Sequence, residues 1–389
     1  MNTHGVRSIC WAGIVTAVAG CNSTPQTYQQ EIAHIKETIK KVYSKAPRIP
    51  CWLQNPVSQE RTGFIGVTPV LDLYGQKAIK ASRKVALHKL AQYYSFMLTE
   101  RDLYNISTEG TAEITLDSGR TVTFLPAHVT DSVIYSYVFD GSLNAIARLS
   151  QSPMAQCTEL QCDFSQCTPS WLCDTTPNTI TSVSYLTVAP HQQLAQAQKN
   201  AGVIASLLDT SHVNIVDTQT ELYQNLSGTE HHSISRTRSG NVTAREWQSP
   251  LLHTRSCSYG HTLVAQFMSS KNITRHDIPL QLHEDWKTQP QFQGRAIALG
   301  NFGEKGKMTA DTLLSTAIDL AIKDALIELA KVKGVEVLSG ADIRYDDGHY
   351  YLSNSQFSVN QIVSGELIDI KVTYKNDIPM VYVWLLEVV

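Results

Sequence analysis

Three of the six tryptophans, Trp52, Trp171 and Trp286, stand 119 and 115 residues apart, and each opens the same order of segments. A short apolar run comes first: Phe64-Ile65-Gly66-Val67, then Val183 to Val188, then Ala296 to Leu299. An alanine-rich helical pattern follows each run. Leu194, Ala197, Ala201, Ile204 and Leu208 step by three and four residues, and Leu314, Ile318, Ala321, Ala325, Leu329 and Val332 do so over a longer span. Ile79, Ala86, Leu90, Tyr93 and Met97 mark the matching face nearest the N-terminus. Small residues on these stripes allow a helix to lie close on a sheet.

Strand-like runs follow each helical pattern. Ala112 to Leu116 and Thr121 to Leu125 flank Asp117-Ser118-Gly119, a hairpin signal, and Val129 to Phe139 comes next. In the last third, Val335 to Leu338, Ile343 to Tyr345 and Tyr350 to Leu352 surround Asp346-Asp347-Gly348, and Ile368 to Val372 and Val381 to Val389 finish the chain. Closing strands are expected at Ala145 to Leu149, Leu263 to Phe267 and Tyr382 to Leu386. The pattern predicts an α+β protein of three tandem modules, each an alanine-rich helix packed on a small antiparallel sheet. The expected organisation is a leader at 1–20, a tether and short helix at 21–49, modules at 50–150, 171–270 and 271–389, and a cysteine-rich linker at 151–170.

The leader is read from Arg7, the apolar run Ile9 to Val18, and the closing Val18-Ala19-Gly20-Cys21. The run is too short to span a bilayer as a mature helix, so residues 1–20 are read as removed on export. The alternative is a buried N-terminal helix. The segment resembles a bacterial lipoprotein signal, which implies that Cys21 carries a diacylglycerol and an acyl chain such as palmitate. Several chains at about 0.8 kcal/mol per buried methylene hold a protein durably on a membrane. Asn22 in place of aspartate implies, by the same resemblance, the outer membrane of a Gram-negative cell, with the protein lipid-anchored on the periplasmic side. Behind the tether, Ile32, Ile35, Ile39 and Val42 form one apolar stripe on a spacer helix that Pro47 and Pro50 stop.

Without residues 1–20 the chain has 31 Lys and Arg against 35 Asp and Glu, about −4. So weak and mixed a charge gives no electrostatic footprint for nucleic acid.

The first unit carries a more specific pattern. Pro50-Cys51-Trp52-Leu53 with Pro56, then Phe64-Ile65-Gly66-Val67, a helix with Ala78, Ala81 and Ala86, and Asp140-Gly141-Ser142-Leu143 with Ala145, Ala147, Arg148 and Leu149 resemble the LPP-twenty-type envelope lipoproteins. Relatives of that family include the flagellar P-type and T-type assembly proteins, which form rings or collars in the outer envelope. The third unit, Gly294-Arg295-Ala296 through Gly334-Val335-Glu336-Val337, is similar to the N-terminal module of the T-type proteins. This resemblance implies other envelope or flagellar proteins as partners, with self-association as a further option, and brings no catalytic motif.

Beyond Cys10 and Cys21 six cysteines remain: Cys51, Cys157, Cys162, Cys167, Cys173 and Cys257. In an exported chain they are disulfide candidates, up to three bridges chosen from fifteen pairings. The competing reading is a four-thiolate metal site at Cys157, Cys162, Cys167 and Cys173, whose spacing lacks the usual close pairs.

Three motifs are weighed as decoys. Gly300 to Thr309 lies between a strand and a helix as a phosphate-binding loop does, but five residues separate Gly300 from Gly306 and Met308 stands where the metal-binding hydroxyl is required. It is read as a flexible strand-to-helix turn. Glu230-His231-His232 is read as an exposed polar loop, and His283-Glu284-Asp285-Trp286 as a polar approach to a buried tryptophan. No nucleophile elbow or paired carboxylates stand out, so no catalytic residue, cofactor or metal is assigned. The expected function is non-enzymatic: an envelope scaffold or assembly factor, possible flagellar association included. The alternative is a lipoprotein holding a lipid, glycan or peptide between modules.

Overall fold

The computed structural model describes residues 48–58, 61–70, 75–142, 144, 154–173, 176–226, 229–274, 291–303, 313–345, 348–375 and 378–388. The leader, Cys21, the spacer helix, the strand expected at Ala145 to Leu149, Trp286 and the motif at 283–286 lie outside them. From Ile49 to Val389 the chain forms one compact unit of α+β type.

The first third runs β1 (Arg48–Pro50), α1 (Cys51–Gln54), β2 (Val57–Ser58), β3 (Arg61–Pro69), α2 (Gly75–Tyr93), α3 (Glu100–Tyr104), β4 (Ala112–Thr115), β5 (Thr121–Phe124), β6 (His128–Val129), β7 (Val133–Asp140) and β8 (Gln156–Thr158). The main sheet has the order β2-β3-β7-β5-β4, and α2 lies across β3 and β7. Ala86, Leu87, Leu90 and Ala91 are the buried face of α2. Gly66 of β3 is the point of closest approach: a methyl there would overlap the Ser82 carbonyl oxygen and the Ala86 nitrogen. Ser82 Oγ donates to the Gly66 carbonyl at 3.0 Å, fixing the helix on the strand. The helix ends at Tyr93, one turn before Met97, which is 88% exposed. Ser95 at φ 56° turns the chain away from the helical path.

The middle third contains β9 (Thr179–Val183), α4 (Gln193–Asp209), β10 (Ser211–Leu226), β11 (Thr229–Ala244), β12 (Leu252–Tyr259) and β13 (Thr262–Met268). The strand expected at Val183 to Val188 is displaced to Thr179–Val183, because Tyr185 and Leu186 face solvent in the turn that leads into α4. β9 pairs with β13 and β13 with β12. Leu194, Ala197, Ala201, Ile204 and Leu208 are buried as their spacing predicts. Ser182 of β9 occupies the place that Gly66 holds in the first third. Its hydroxyl donates to the Ala197 carbonyl at 2.7 Å.

The last third contains β14 (Gln291–Phe292), β15 (Arg295–Phe302), α5 (Leu314–Lys333), β16 (Glu336–Tyr345), β17 (Gly348–Val363), β18 (Gly365–Lys375) and β19 (Ile378–Glu387). Its sheet order is β14-β15-β19-β18, with α5 on β15 and β19. Here Gly300 is the close-approach residue, and a methyl would overlap Ala321 O and Ala325 N. Val381 to Glu387 pairs with β15 on one side and β18 on the other, and Val381, Val383, Leu385 and Leu386 are fully buried. The C-terminal segment is therefore a central strand and not an open edge.

A single apolar core runs through all three thirds, from Trp52 and Tyr137 through Trp171, Ala201 and Phe267 to Ala325 and Leu385. Smaller clusters lie beneath α2, around Phe64, Leu90 and Phe124, and on the outer face of β15 and β19, around Ile297 and Trp384.

Candidate interaction surface

Three disulfides staple the region that joins the first two thirds: Cys51–Cys157, Cys162–Cys257 and Cys167–Cys173. They take up all six candidate cysteines, so the four-thiolate alternative has no thiolate left to offer. The described part of the segment expected to be a linker, 154–170, is tied to its surroundings. β8 pairs with β1, and Cys162 N and Ser258 O make a 2.8 Å hydrogen bond. The Gln54 amide donates to Thr158 O at 2.9 Å and accepts from Leu160 N at 2.6 Å. Beside it Trp52 stacks on Tyr137 at 5.2 Å, and the Tyr137 hydroxyl donates to Pro56 O at 2.8 Å. Burial pushes the Tyr137 phenol up to about 12, so it stays a donor at every physiological pH.

The motifs weighed as decoys fall differently. Gly300, Asn301 and Phe302 belong to β15, and Gly300 serves helix packing, so the stretch is not a turn from its first residue. Turning begins at Gly303, whose φ of 95° favours glycine; residues 304–309 lie outside the described residues. Glu230, His231 and His232 belong to β11 rather than to a loop. They are exposed, and His232 Nε2 meets Glu221 Oε1 at 2.8 Å across the strand pair. No group of three metal-ligating side chains occurs among the described residues.

The feature that sequence reasoning missed is a second kind of sheet. β10 and β11, sixteen residues each, form a hairpin, β16 and β17 form another, and β10 pairs with β17 along its whole length. The result is a four-stranded antiparallel blade, β11-β10-β17-β16, built from two separate thirds of the chain. Its root is buried: Val213, Ile215, Val359 and Val363 join the main core. Arg238 ties the root to α5, reaching Asp217 at 3.4 Å and Asp324 at 3.2 Å, while Asp324 accepts from Asn301 N at 3.1 Å. Above Asp217 the strands leave the core, and Glu230 to Ser235 of β11 are exposed one after another.

Beside the blade root, α4 and the segment from Ala244 to Leu251 enclose a cleft of about 520 Å³. Trp247 stands in it with an indole Nε1 that is buried without a hydrogen-bond partner, and Lys271 Nζ sits 5.1 Å from the ring centre. Lys199 and Lys323 also line the cleft.

A smaller cleft holds Lys89 of α2 and His253 of β12 together. His253 Nε2 lies 3.1 Å from Arg255 O, while Nδ1 is buried without a partner. That arrangement suits a neutral ring with its proton on Nε2. Burial, then the charge of Lys89, pushes the imidazole down to about 3, and burial pushes the Lys89 ammonium down to about 8. A base with a lowered folded pKa binds more protons when unfolded, so stability falls as pH drops from the ordinary histidine value near 6.5 towards 3. We expect the melting temperatures of the wild type and His253→Gln to diverge below pH 6.5, with the wild type losing more. Parallel pH curves for the two proteins would remove this group from the acid response.

Comparison of the chain with protein-family models, with curated proteins and with solved structures gives no match.

Proposed function

We propose that this chain is a non-enzymatic, lipid-anchored protein of the Gram-negative outer membrane that works by association, as a scaffold or assembly factor in the envelope. In this reading Cys21 carries the anchor, and the body is three tandem modules, each an alanine-rich helix on a small antiparallel sheet. The observation that carries it is the repeated contact of one strand with one helix: Gly66 against Ser82 and Ala86, Ser182 against Ala197, Gly300 against Ala321 and Ala325. In each case the strand that meets the helix also pairs with a later strand of its unit, β3 with β7, β9 with β13, β15 with β19. Repeated modules on a membrane-confined chain multiply weak contacts into an avid surface. The resemblance to LPP-twenty-type and flagellar P-type and T-type proteins supports envelope or flagellar proteins as partners, the lipoprotein-like signal supports the periplasmic side, and the weak mixed charge speaks against nucleic acid.

Replacing Cys21 with Ser is expected to leave an unprocessed or soluble product and to abolish cross-links to envelope proteins in intact cells. A Ser variant processed normally and recovered in the outer-membrane fraction would sink the anchor. A wild-type protein that cross-links to no envelope protein would sink the scaffold.

The cleft at Trp247 favours a second reading, a lipoprotein that holds a lipid, glycan or peptide. An unpartnered buried indole N–H is a donor awaiting an acceptor. Native mass spectrometry separates the two readings: a small molecule retained by the wild type and lost from Trp247→Phe, which keeps the ring and removes the donor, supports the second.

A further inference from the structure

We infer that the blade is an assembly joint between copies of this chain, β16 of one copy pairing with β11 of the next, so that successive blades close into a ring with a wall of continuous antiparallel sheet. The inference rests on the association reading above and names its partner and its contact.

Strand direction makes this possible. Neighbouring strands in β11-β10-β17-β16 alternate, and their number is even, so the two outer strands run in opposite directions. A copy placed edge to edge therefore puts β16 beside an antiparallel β11, and the alternation continues through the joint. An odd number of strands would force a parallel joint instead.

Both edges are open and only partly guarded. Among the described residues no strand pairs with the outer side of β11 or of β16. Sheet edges are usually guarded by proline, a bulge, a short strand or charged side chains, and of these only charges occur on the two strands. Neither strand contains proline, and the pairings of β11 and β16 run without a register shift. Exposed apolar side chains also occur there: Ile234 on β11, Val337 and Leu338 at the start of β16, and Val335 just before it. By sequence β11 carries Glu230, Arg236 and Arg238, the last already paired with Asp217 and Asp324, and β16 carries Glu336, Asp342 and Arg344, so strand direction and not charge selects the partner edge.

These features favour a second copy over a foreign strand. A foreign strand would cover one edge and leave the other bare, whereas a head-to-tail joint satisfies both edges in every copy. Such joints close into rings when the rotation between copies permits, and sheet twist supplies curvature.

The row Ser235, Thr220, Asn354, Gly340 crosses the blade from edge to edge. Cysteines at Ser235 and Gly340 of one chain would be three strand spacings apart, about 14 Å, beyond the reach of a disulfide. Between copies they would be neighbours. The test uses the full-length chain in intact cells, with Ser235→Cys paired with Gly340→Cys, and with Ser235→Cys with Leu338→Cys and Thr237→Cys with Gly340→Cys to cover a joint slipped by two residues either way. On mild oxidation we expect at least one double variant to run as a reducible ladder of dimers, trimers and larger species, while wild type stays monomeric and each single variant stops at dimers. Adding Val337→Lys should reduce that ladder without lowering the amount of folded protein. Monomers alone from all three double variants, present at wild-type levels, would overturn the joint. If chemical cross-links to other envelope proteins persist in those cells, the scaffold reading stands and only the ring falls; if they too are missing, both fall.

Discussion

Gly300→Ala is expected to cost about 4 kcal/mol of unfolding free energy, near the upper end of single-substitution effects. The reason is that the new methyl meets backbone, Ala321 O and Ala325 N, and not the movable end of a side chain. Relief requires α5 to lift off β15, which opens the contact around Ala321, Ala325 and Leu326, all fully buried. Close-packed interiors transmit such a shift rather than absorb it. Gly66→Ala should be similarly severe, because the Ser82 carbonyl and the Ala86 nitrogen stand in the same relation to it. Gly340 is the control. It lies on β16 with open space where a Cβ would go, so Gly340→Ala should stay within about 0.5 kcal/mol of wild type. Urea titrations of the three variants decide the matter. Equal midpoints for Gly300→Ala and Gly340→Ala would mean that α5 does not lie as close to β15 as described.

The same residues explain how far the sequence could be read. Three-and-four spacing located α4 and α5 almost to the residue, because their apolar faces are buried and their outer faces are not. The hairpin at Asp117-Ser118-Gly119 was legible for a similar reason: β5 buries Val122, Thr123 and Phe124 between short turn signals. The blade gave no such signal. Above its root β10 reads Thr218-Gln219-Thr220-Glu221, polar on both faces, so a period of two has nothing to alternate between. In the sequence β16 and β17 show only as fragments at Val335 to Leu338, Ile343 to Tyr345 and Tyr350 to Leu352, and Glu230-His231-His232 of β11 reads as a polar loop. Gly300 is ambiguous for a different reason. A glycine near a strand end fits a turn as well as a helix contact, and only the position of Ala321 and Ala325 separates the two. Disulfide pairing depends on three-dimensional proximity. Cys51 finds Cys157 because β1 pairs with β8, and Cys162 finds Cys257 because residues 161 and 258 form a bridge.

That pairing sets the second large expectation. Cys51–Cys157 spans 106 residues, Cys162–Cys257 spans 95, and Cys167–Cys173 spans 6. If a bridge acts mainly by restricting the unfolded chain, each of the two long loops is worth about 5 kcal/mol and the short one about 2 kcal/mol. Packing sharpens the contrast for Cys162 and Cys257, both buried in the main core beside Phe164 and Tyr259, so that alanines at the two sites also leave a cavity. Cys167 lies on an exposed turn closed by hydrogen bonds between Asp163 and Thr168, which persist without the bridge. The double replacement Cys162→Ala with Cys257→Ala should therefore lower stability by at least twice as much as Cys167→Ala with Cys173→Ala. Denaturant unfolding of the two double variants, followed by circular dichroism, measures the ratio. Equal losses would show that the long bridges do not govern the unfolded ensemble. A strand pair such as β12 and β13, by holding residual structure there, would then have to limit what the covalent link adds.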